Sequence, residues 1–353
     1  MKPLVPGGIA VPETPRREAE ESISVVMPVY NGAEVLRESL PPLFAMLRSG
    51  EIAEIIVVDD GSTDASVGVA TEFGARILRS GGRLGPGGAR NVAAASAIGD
   101  ILWFVDADVV VHEDAARLLS ATFRRSGAAA VFGSYDDRPT GRNFLSQYKN
   151  LVHHYYHSRE GGEADTFWAG CGAVRKDVFI ANGGFDARSY PHPSIEDIEL
   201  GFRLRKQGLR IILAPEVQAT HLKVWRLGNL LFTDIFRRAL PWSRLINAAS
   251  GLPNALNVTV GERWNAVLAA GLVVTLALAI AGMISFWIPL AVLAAVAFGN
   301  RRLFALLRRA RGTLFAIGGV LFHQLYYVYG STVYAWCRLE SLFRVRSGDG
   351  SSA

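Results

Sequence analysis

The chain has 353 residues with 37 Lys and Arg against 32 Asp and Glu, which gives a formal net charge of +5 at pH 7. This balance is too even for a protein whose partner is a nucleic acid, and two cysteines, Cys171 and Cys337, are too few for a disulfide framework or a cysteine zinc site. Charged residues concentrate in the first two-thirds of the chain, and long uncharged runs follow residue 264. We therefore expect a soluble domain followed by a membrane portion, in a reducing compartment.

The first 22 residues differ in composition from the rest. Residues 1–22 contain four prolines and no apolar run of signal-peptide length. We interpret them as a disordered arm rather than a targeting signal.

Residues 23–224 show the alternation of an α/β domain. Short apolar runs at 23–27, 54–58, 75–78 and 101–105 are separated by longer helix-compatible stretches. This rhythm predicts a mostly parallel central sheet with helices on both faces. Strands that are covered on both faces are apolar throughout, as these runs are.

Polar segments follow three of these runs, where a parallel sheet places its ligand crevice. The segment PVYNGAE follows the first run, DDGSTD follows the second, and DAD follows the fourth. We expect Asp59 and Asp60 at the edge of a ligand site. The alternative is that their Asp-Gly-Ser turn only caps the next helix.

Two carboxylates spaced by one residue, Asp106 and Asp108, leave the fourth run. Oxygen ligands of this kind suit Mg²⁺ or Mn²⁺, which share their coordination sphere with phosphate oxygens and water. His221 follows a later apolar run and is either a metal ligand through its neutral imidazole or an ordinary hydrogen-bonded residue. The histidines of segment 153–157 offer poor ligand geometry for zinc.

Two further segments carry groups suited to transfer chemistry. The glycine-rich turn 81–91 opens a helix, and its amides and Arg90 favour a diphosphate there, unless the glycines only permit close packing. It matches neither a dinucleotide fingerprint nor a P-loop. At 193–208, Ser194 caps a predicted helix whose first turn carries Glu196 and Asp197. We expect either that one of these carboxylates acts as a general base, or that both only interact favourably with the helix dipole.

The last third of the chain predicts membrane attachment. Residues 225–262 read as amphipathic helices, either interfacial or packed on the domain. The region 263–340 contains three apolar spans, at 266–281, 284–298 and 313–337, with the first two broken near Gly282. The segment 301–311 holds five arginines in eleven residues, which places it on the cytoplasmic face together with the catalytic domain. Residues 341–353 form a tail.

Taken together, five segments resemble family 2 of the inverting glycosyltransferases, which have the GT-A fold. The segments are VVMPVYNGAEVLRESL, IIVVDDGSTDAS, GPGGARNVAAASAIGDILWFVDAD, WAGCGAVRKDVFIANGGFD and SIEDIELGFRLRKQG, and they span about residues 23–221. The resemblance implies a GT-A catalytic domain at 23–224.

The resemblance also implies roles for individual residues. Pro28, Tyr30 and Glu34 would line the nucleotide site, with Asp59 or Asp60 on the base and Arg90 near the nucleotide. The metal motif would be Asp106 and Asp108, with Asp108 the direct ligand. Asp197 would be the catalytic base, with Glu196 beside it. The loop bordering the sugar and the acceptor would be Gly170, Cys171 and Gly172.

The implied activity is a single displacement with inversion, using Mn²⁺ or Mg²⁺ and a UDP- or GDP-sugar. Processive members carry Q-x-x-R-W after the base, and this chain offers only HLKVW and RRALPW. We therefore expect transfer of one sugar to a lipid or lipid-linked acceptor, by a multi-pass protein of the inner membrane. The alternatives are a membrane-tethered nucleotide- or sugar-binding module without catalysis, and a nucleotidyltransferase, which would need a basic glycine-rich loop after the first strand.

Overall fold

The computed structural model describes residues 21–159, 161–248 and 258–348. The predicted N-terminal arm therefore lies outside the described residues, except for its last two. Within these ranges one sheet contains β1 (Ile23–Val29), β2 (Glu54–Asp59), β3 (Arg76–Arg79), β4 (Ile101–Val105), β5 (Val109–Val111), β6 (Ala130–Tyr135), β7 (Gly162–Glu163), β8 (Cys171–Arg175) and β9 (Ile211–His221). The four predicted apolar runs coincide with β1 to β4 to within two residues.

The strands follow the order β3-β2-β1-β4-β8-β6-β9-β5, and β7 pairs with β9. Parallel pairs join β1 to β2, β1 to β4, β2 to β3 and β6 to β9. Antiparallel pairs join β4 to β8, β6 to β8, β5 to β9 and β7 to β9. The prediction of a mostly parallel sheet is thus wrong for its second half, and the sheet is mixed. Strand direction there depends on the long connections between β4 and β9, which the apolar pattern does not encode.

Seven helices flank the sheet within the described ranges. They are α1 (Ala33–Ser49), α2 (Ser66–Phe73), α3 (Gly85–Ser96), α4 (Ala115–Ser126), α5 (Phe144–Ser158), α6 (Lys176–Ala181) and α7 (Glu196–Lys206). Successive residues of β4 face opposite layers, as the pleat requires: Trp103 packs in the layer of α1 and α4, and Phe104 in the layer of α3 and α6. Because both are fully buried, the strand positions the segment 106–108 at a fixed edge of the sheet.

A helical segment leaves the sheet after β9. It comprises α8 (Leu227–Phe232), a π-helical segment (Thr233–Ala239) and α9 (Leu240–Ala248). Leu230 and Asp234 are buried, whereas Phe232 and Phe236 are exposed, and the interfacial placement of this segment stays a prediction. The rest of the predicted amphipathic region, at 249–257, lies outside the described residues.

Four helices complete the described chain: α10 (Val260–Ile280), α11 (Trp287–Gly299), α12 (Arg301–Arg311) and α13 (Thr313–Gly348). Residues 281–286 separate α10 from α11, and Gly282 adopts a φ of 71° there, at the predicted break. The last helix continues to Gly348 and therefore includes most of the predicted tail.

Among the described helices, α10 alone is long and apolar enough to cross a membrane, and 11% of its apolar window is buried. The helices α11 and α12 qualify only as a pair, bent by 67°. At about 1.5 Å per residue, α11 extends roughly 20 Å, less than a hydrocarbon core of about 30 Å. The predicted third span, in α13, does not qualify, because His323, Gln324 and several tyrosines interrupt its apolar run.

The arginine-rich helix α12 packs against α5. Leu303 and Leu307 are buried in an apolar cluster with Tyr148 and Leu151, and Arg311 donates to the side chain of Gln147. The alternating Leu and Arg positions therefore give an amphipathic helix that is docked on the domain.

Candidate active site

The carboxylates of Asp59 and Asp60 both accept backbone hydrogen bonds. Asp59 Oδ1 accepts from the Ser62 amide at 2.9 Å. The two oxygens of Asp60 accept from the amides of Leu84 and Gly85, each at 2.9 Å. The Asp60 carboxylate is therefore the negative group that lies at the N-terminal end of α3. The contact of Asp59 or Asp60 with the base of a nucleotide stays a prediction.

Gly85 explains how the loop before α3 approaches this edge so closely. Its φ is 74°, and a Cβ there would lie 2.5 Å from the carbonyl oxygen of Pro191. Only glycine combines this backbone conformation with such a close approach. The loop is thus fixed between Asp60 and the chain that leads into α7.

Tyr30 lies exposed at the end of β1, two residues after the buried strand position of Pro28, and Glu34 is exposed in the first turn of α1. The guanidinium of Arg83 stacks over the Tyr30 ring at 3.6 Å. Arg83 was not among the predicted site residues. The position of Arg83 in the glycine-rich turn 81–91 could have indicated a role in the site. Its guanidinium places a positive charge beside the predicted nucleotide site.

Arg90 is buried and joins two of the predicted motifs. Its Nη2 pairs with Asp106 Oδ1, and its Nη1 lies 3.3 Å from Glu196 Oε1. The Asp106 carboxylate keeps 36% of its surface exposed, whereas the Glu196 carboxylate keeps 6%. Arg90 thus links the metal motif after β4 to the start of α7, and its approach to a diphosphate stays a prediction.

The first turn of α7 holds the predicted base. Asp197 Oδ2 accepts from the Ala169 amide at 3.0 Å, and Oδ1 accepts from the Ile198 amide at 2.8 Å. Burial raises the pKa of Asp197 above its ordinary value. Burial, and then the charge of Asp197, raise the pKa of Glu196 to about 7.

Asp108 and His221 meet across two strands that are antiparallel neighbours. The register of β5 and β9 pairs Val109 with His221, and Asp108 Oδ2 lies 3.4 Å from His221 Nε2. Burial acts to raise the pKa of Asp108, but the hydrogen bond and charge of His221 outweigh it and the pKa is lowered. Residues 113 positions apart thus form one polar pair at the cleft.

The predicted metal set of Asp106, Asp108 and His221 does not converge. In the described ranges, no three His, Cys, Asp or Glu side chains form a metal cluster, because the Asp106 carboxylate turns to Arg90. Asp108 and His221 remain suitably placed. Two protein ligands fit Mg²⁺ or Mn²⁺, which complete their coordination with phosphate oxygens and water.

The predicted sugar and acceptor loop leads directly into β8. Cys171 is fully buried, and burial raises the pKa of its thiol to about 12. A Cβ at Gly172 would lie 2.1 Å from the Trp168 carbonyl oxygen, and one at Gly170 would lie 2.5 Å from the Trp168 ring. The two glycines therefore let Trp168 lie against this loop, and the Cys171 thiol belongs to the core.

Trp168 belongs to an aromatic cluster that the sequence analysis missed. Its ring lies 4.8 Å from that of Tyr135 and 4.7 Å from that of His153. His154 and His157 contact carbonyl oxygens of β6 through Nδ1, and burial lowers the pKa of His157 to about 4. His154 and His157 therefore hold α5 against β6.

The π-helical segment contacts the residues just before α7, the helix that carries Asp197. Ser194 Oγ, just before α7, donates to the Arg237 carbonyl oxygen at 2.8 Å. Lys149 Nζ donates to both carboxylate oxygens of Asp234 at 2.6 Å. The C-terminal helical region is therefore tied to the catalytic domain on the side of Asp197.

Comparison with known proteins relates this fold to glycosyltransferases. Residues 24–183 match the family model described as Glycosyl transferase family 2. The glycosyltransferase GlyG of Streptococcus pneumoniae serotype 4 is 32% identical over 120 residues, covering 33% of this chain and 39% of GlyG. The pre-mycofactocin glycosyltransferase of Mycobacterium tuberculosis is 26% identical over 233 residues, covering 62% of this chain and 46% of the relative. Residues 24–183 thus match a family 2 glycosyltransferase domain, and the predicted glycosyltransferase class is confirmed for this part of the chain.

A solved structure extends the likeness over the C-terminal helices. The mannosyltransferase PcManGT from Pyrobaculum calidifontis, in complex with GDP-Man and Mn²⁺, superposes with a TM-score of 0.56 at 20% identity. The match covers 90% of this chain and 88% of that protein. The predicted GT-A-like fold is therefore confirmed, whereas this chain spans less than half the length of the two curated relatives above.

Proposed function

We propose that this protein is a metal-dependent inverting glycosyltransferase that moves one sugar from a UDP- or GDP-sugar to a hydroxyl of a lipid or lipid-linked acceptor. The acceptor would be reached at the cytoplasmic face of the inner membrane. One observation carries the proposal: Arg90 joins Asp106 of the metal motif to the helix turn that holds Asp197. The groups that we assign to donor binding and to acceptor activation are therefore adjacent.

Asp197 is the group that takes the acceptor proton. Its two backbone hydrogen bonds fix the carboxylate, and each oxygen keeps a lone pair for an incoming hydroxyl. The raised pKa makes it a stronger base than an exposed aspartate. Attack of the acceptor oxygen on the anomeric carbon breaks the bond to the diphosphate, and a single displacement inverts the configuration.

A divalent cation would be held by Asp108 and His221, and it would supply charge stabilisation of the departing diphosphate. Arg90 keeps the Asp106 carboxylate beside this position. At the other end of the cleft, Tyr30 and Arg83 form a stacked pair that suits a nucleotide.

The membrane assignment rests on the apolar exposed helices and on α12. Large apolar side chains of α10 and α11 are exposed, and such surface is stable in contact with lipid. Helix α12 is docked on α5, so its arginines and the catalytic domain share one face. By the positive-inside rule this face is cytoplasmic, and the α10–α11 hairpin enters the membrane from it as part of a multi-pass arrangement.

The test is release of nucleoside diphosphate by detergent-purified full-length protein with Mn²⁺ or Mg²⁺. UDP-, GDP- and dTDP-sugars are screened with and without added membrane lipids. We expect lipid-stimulated release from one donor and its loss in Asp108→Asn. Release that needs no metal, or equal activity on a soluble acceptor without lipid, would contradict the proposal.

A nucleotide- or sugar-binding module without catalysis would give a different result. It would bind the donor but release no diphosphate with any lipid fraction. A nucleotidyltransferase would instead release pyrophosphate from a nucleoside triphosphate. The first outcome is read by adding a titration of donor binding to the assay, and the second by replacing the nucleotide-sugar with a nucleoside triphosphate and a sugar phosphate and quantifying pyrophosphate.

A further inference from the structure

Two residues outside the predicted motifs, Tyr135 of β6 and Asn150 of α5, contact the His221 side chain. Its Nδ1 lies 2.7 Å from Asn150 Oδ1, and its ring stacks on Tyr135 with 4.4 Å between centroids and 8° between planes. Asn150 is 2% exposed and Tyr135 is 6% exposed. The imidazole is therefore held in one orientation by a buried amide and a buried ring.

The contact with Asn150 determines which nitrogen of the imidazole carries the proton. A carbonyl oxygen only accepts hydrogen bonds, so His221 Nδ1 is the donor. In the neutral ring Nε2 then keeps its lone pair, and Nε2 is the atom that lies 3.4 Å from Asp108 Oδ2. A divalent cation that replaces the Nε2 proton would be bound by the Nε2 lone pair and the Asp108 carboxylate together.

We propose that Asn150 is a positioning residue for the divalent cation: its amide oxygen fixes the Nδ1–H tautomer and the orientation of His221, so that Nε2 and Asp108 bind the ion together. The inference rests on the proposed function. Partners of this kind behind a metal-binding histidine raise metal affinity, and their loss typically costs about 10- to 100-fold.

The hydrogen bond to His221 is the polar contact that explains a buried asparagine at this position. In the described part of the chain, Asn150 Nδ2 has no hydrogen-bond partner. A buried amide that is only half satisfied is costly for stability. The orientation that Asn150 gives to His221 accounts for the presence of an asparagine at this buried position.

The turn of α5 that carries Asn150 is itself held by the C-terminal helical region. The preceding residue, Lys149, donates to both oxygens of Asp234, and the Tyr148 hydroxyl lies 2.7 Å from His323 Nδ1. These contacts restrain the turn of α5 that carries Asn150.

The test measures binding of Mn²⁺ alone to the detergent-purified full-length protein, with free Mn²⁺ followed by electron paramagnetic resonance. Asn150→Leu removes the acceptor at similar volume, and we expect its Mn²⁺ dissociation constant to rise about 10- to 100-fold. Asn150→Asp keeps an acceptor for Nδ1–H, and we expect affinity at least equal to that of the wild type. Asn143→Ala, at the N-terminal cap of the same helix, is the matched control and should leave Mn²⁺ affinity unchanged.

His221→Ala provides the reference for complete loss of this ligand. The inference is overturned if Asn150→Leu binds Mn²⁺ within twofold of the wild type while His221→Ala is weakened, or if a folded Asn150→Asp loses tenfold. Unchanged affinity in His221→Ala also overturns it, because His221 is then no ligand. That last result leaves the proposed function open to its own test, the loss of diphosphate release in Asp108→Asn.

Discussion

The Arg90 guanidinium lies against the Glu196 carboxylate with 3.3 Å between Nη1 and Oε1, although 106 residues separate them. Both side chains are buried, and a second carboxylate, that of Asp106, pairs with the same guanidinium. A buried cation shared by two carboxylates is costly to remove, since each partner is then left without compensation. The consequences for stability and for pH dependence follow from this arrangement.

Replacement of Arg90 by alanine should destabilise the domain and abolish diphosphate release. Removing one partner of a buried ion pair typically costs about 3–5 kcal/mol, and we expect the lower end because Asp106 is partly exposed. The measurement is the thermal unfolding midpoint of the detergent-solubilised chain, together with turnover. Arg37→Ala, which breaks an exposed pair with Glu72, is the control and should change neither.

The raised pKa of Glu196 predicts a pH-dependent stability. The folded value is about 7 against an ordinary value of 4.5, so the folded protein binds more protons than the unfolded chain between these pH values. Unfolding free energy should therefore fall as pH rises from about 4.5 to 7, by at most about 3 kcal/mol from this group. The measurement compares unfolding midpoints at pH 5 and pH 7.5.

Glu196→Gln isolates that contribution, because glutamine is neutral at both pH values and can still bond to Arg90. We expect the difference between the two midpoints to be smaller in this variant than in the wild type. Glu199→Gln, which alters the ion pair with Arg203 one turn later, serves as control. Equal pH dependence in Glu196→Gln and the wild type would show that Glu196 is ionised throughout this range.

Asp197→Asn should remove turnover while donor binding is kept. The asparagine amide takes no proton, so the rate of diphosphate release should fall about 10²- to 10⁴-fold. Its oxygen can still accept one of the two backbone hydrogen bonds, so the start of α7 should keep its structure. Calorimetric titration with the donor found in the screen measures binding separately. A variant that keeps more than a tenth of wild-type turnover would assign the base to another group.

The sequence predicted the first half of the sheet and the edge at which the site lies, because buried strands are apolar throughout and polar residues follow them. It did not predict the antiparallel strand β8. That strand is five residues long, and its direction depends on the connections around it. The same limit applies to chain-distant contacts: nothing in the spacing of Asp108 and His221 reveals the pairing of β5 with β9.

Side-chain direction was the second property that the sequence did not reveal. The ion pairs of Arg90 with Asp106 and Glu196 were not predicted, and its contact with a nucleotide stays a prediction. The hydrogen bonds that the Asp60 carboxylate accepts from the Leu84 and Gly85 amides were likewise not predicted. Residues that act from ordinary helix or strand positions, such as Asn150, carry no local signal at all.

The hairpin of α10 and α11 predicts that Met283 reaches the far side of the membrane from the catalytic domain. Met283 lies in the turn at 281–286 and is 71% exposed, whereas Arg309 is exposed on α12 beside α5. In intact cells, Met283→Cys should react with a membrane-impermeant maleimide, and Arg309→Cys should react only after permeabilisation. The native Cys171 and Cys337 are buried, so the wild-type chain is the background control. Absence of labelling at Met283→Cys in intact cells, with Arg309→Cys labelled after permeabilisation, would show that the turn at 281–286 does not reach the far side of the membrane.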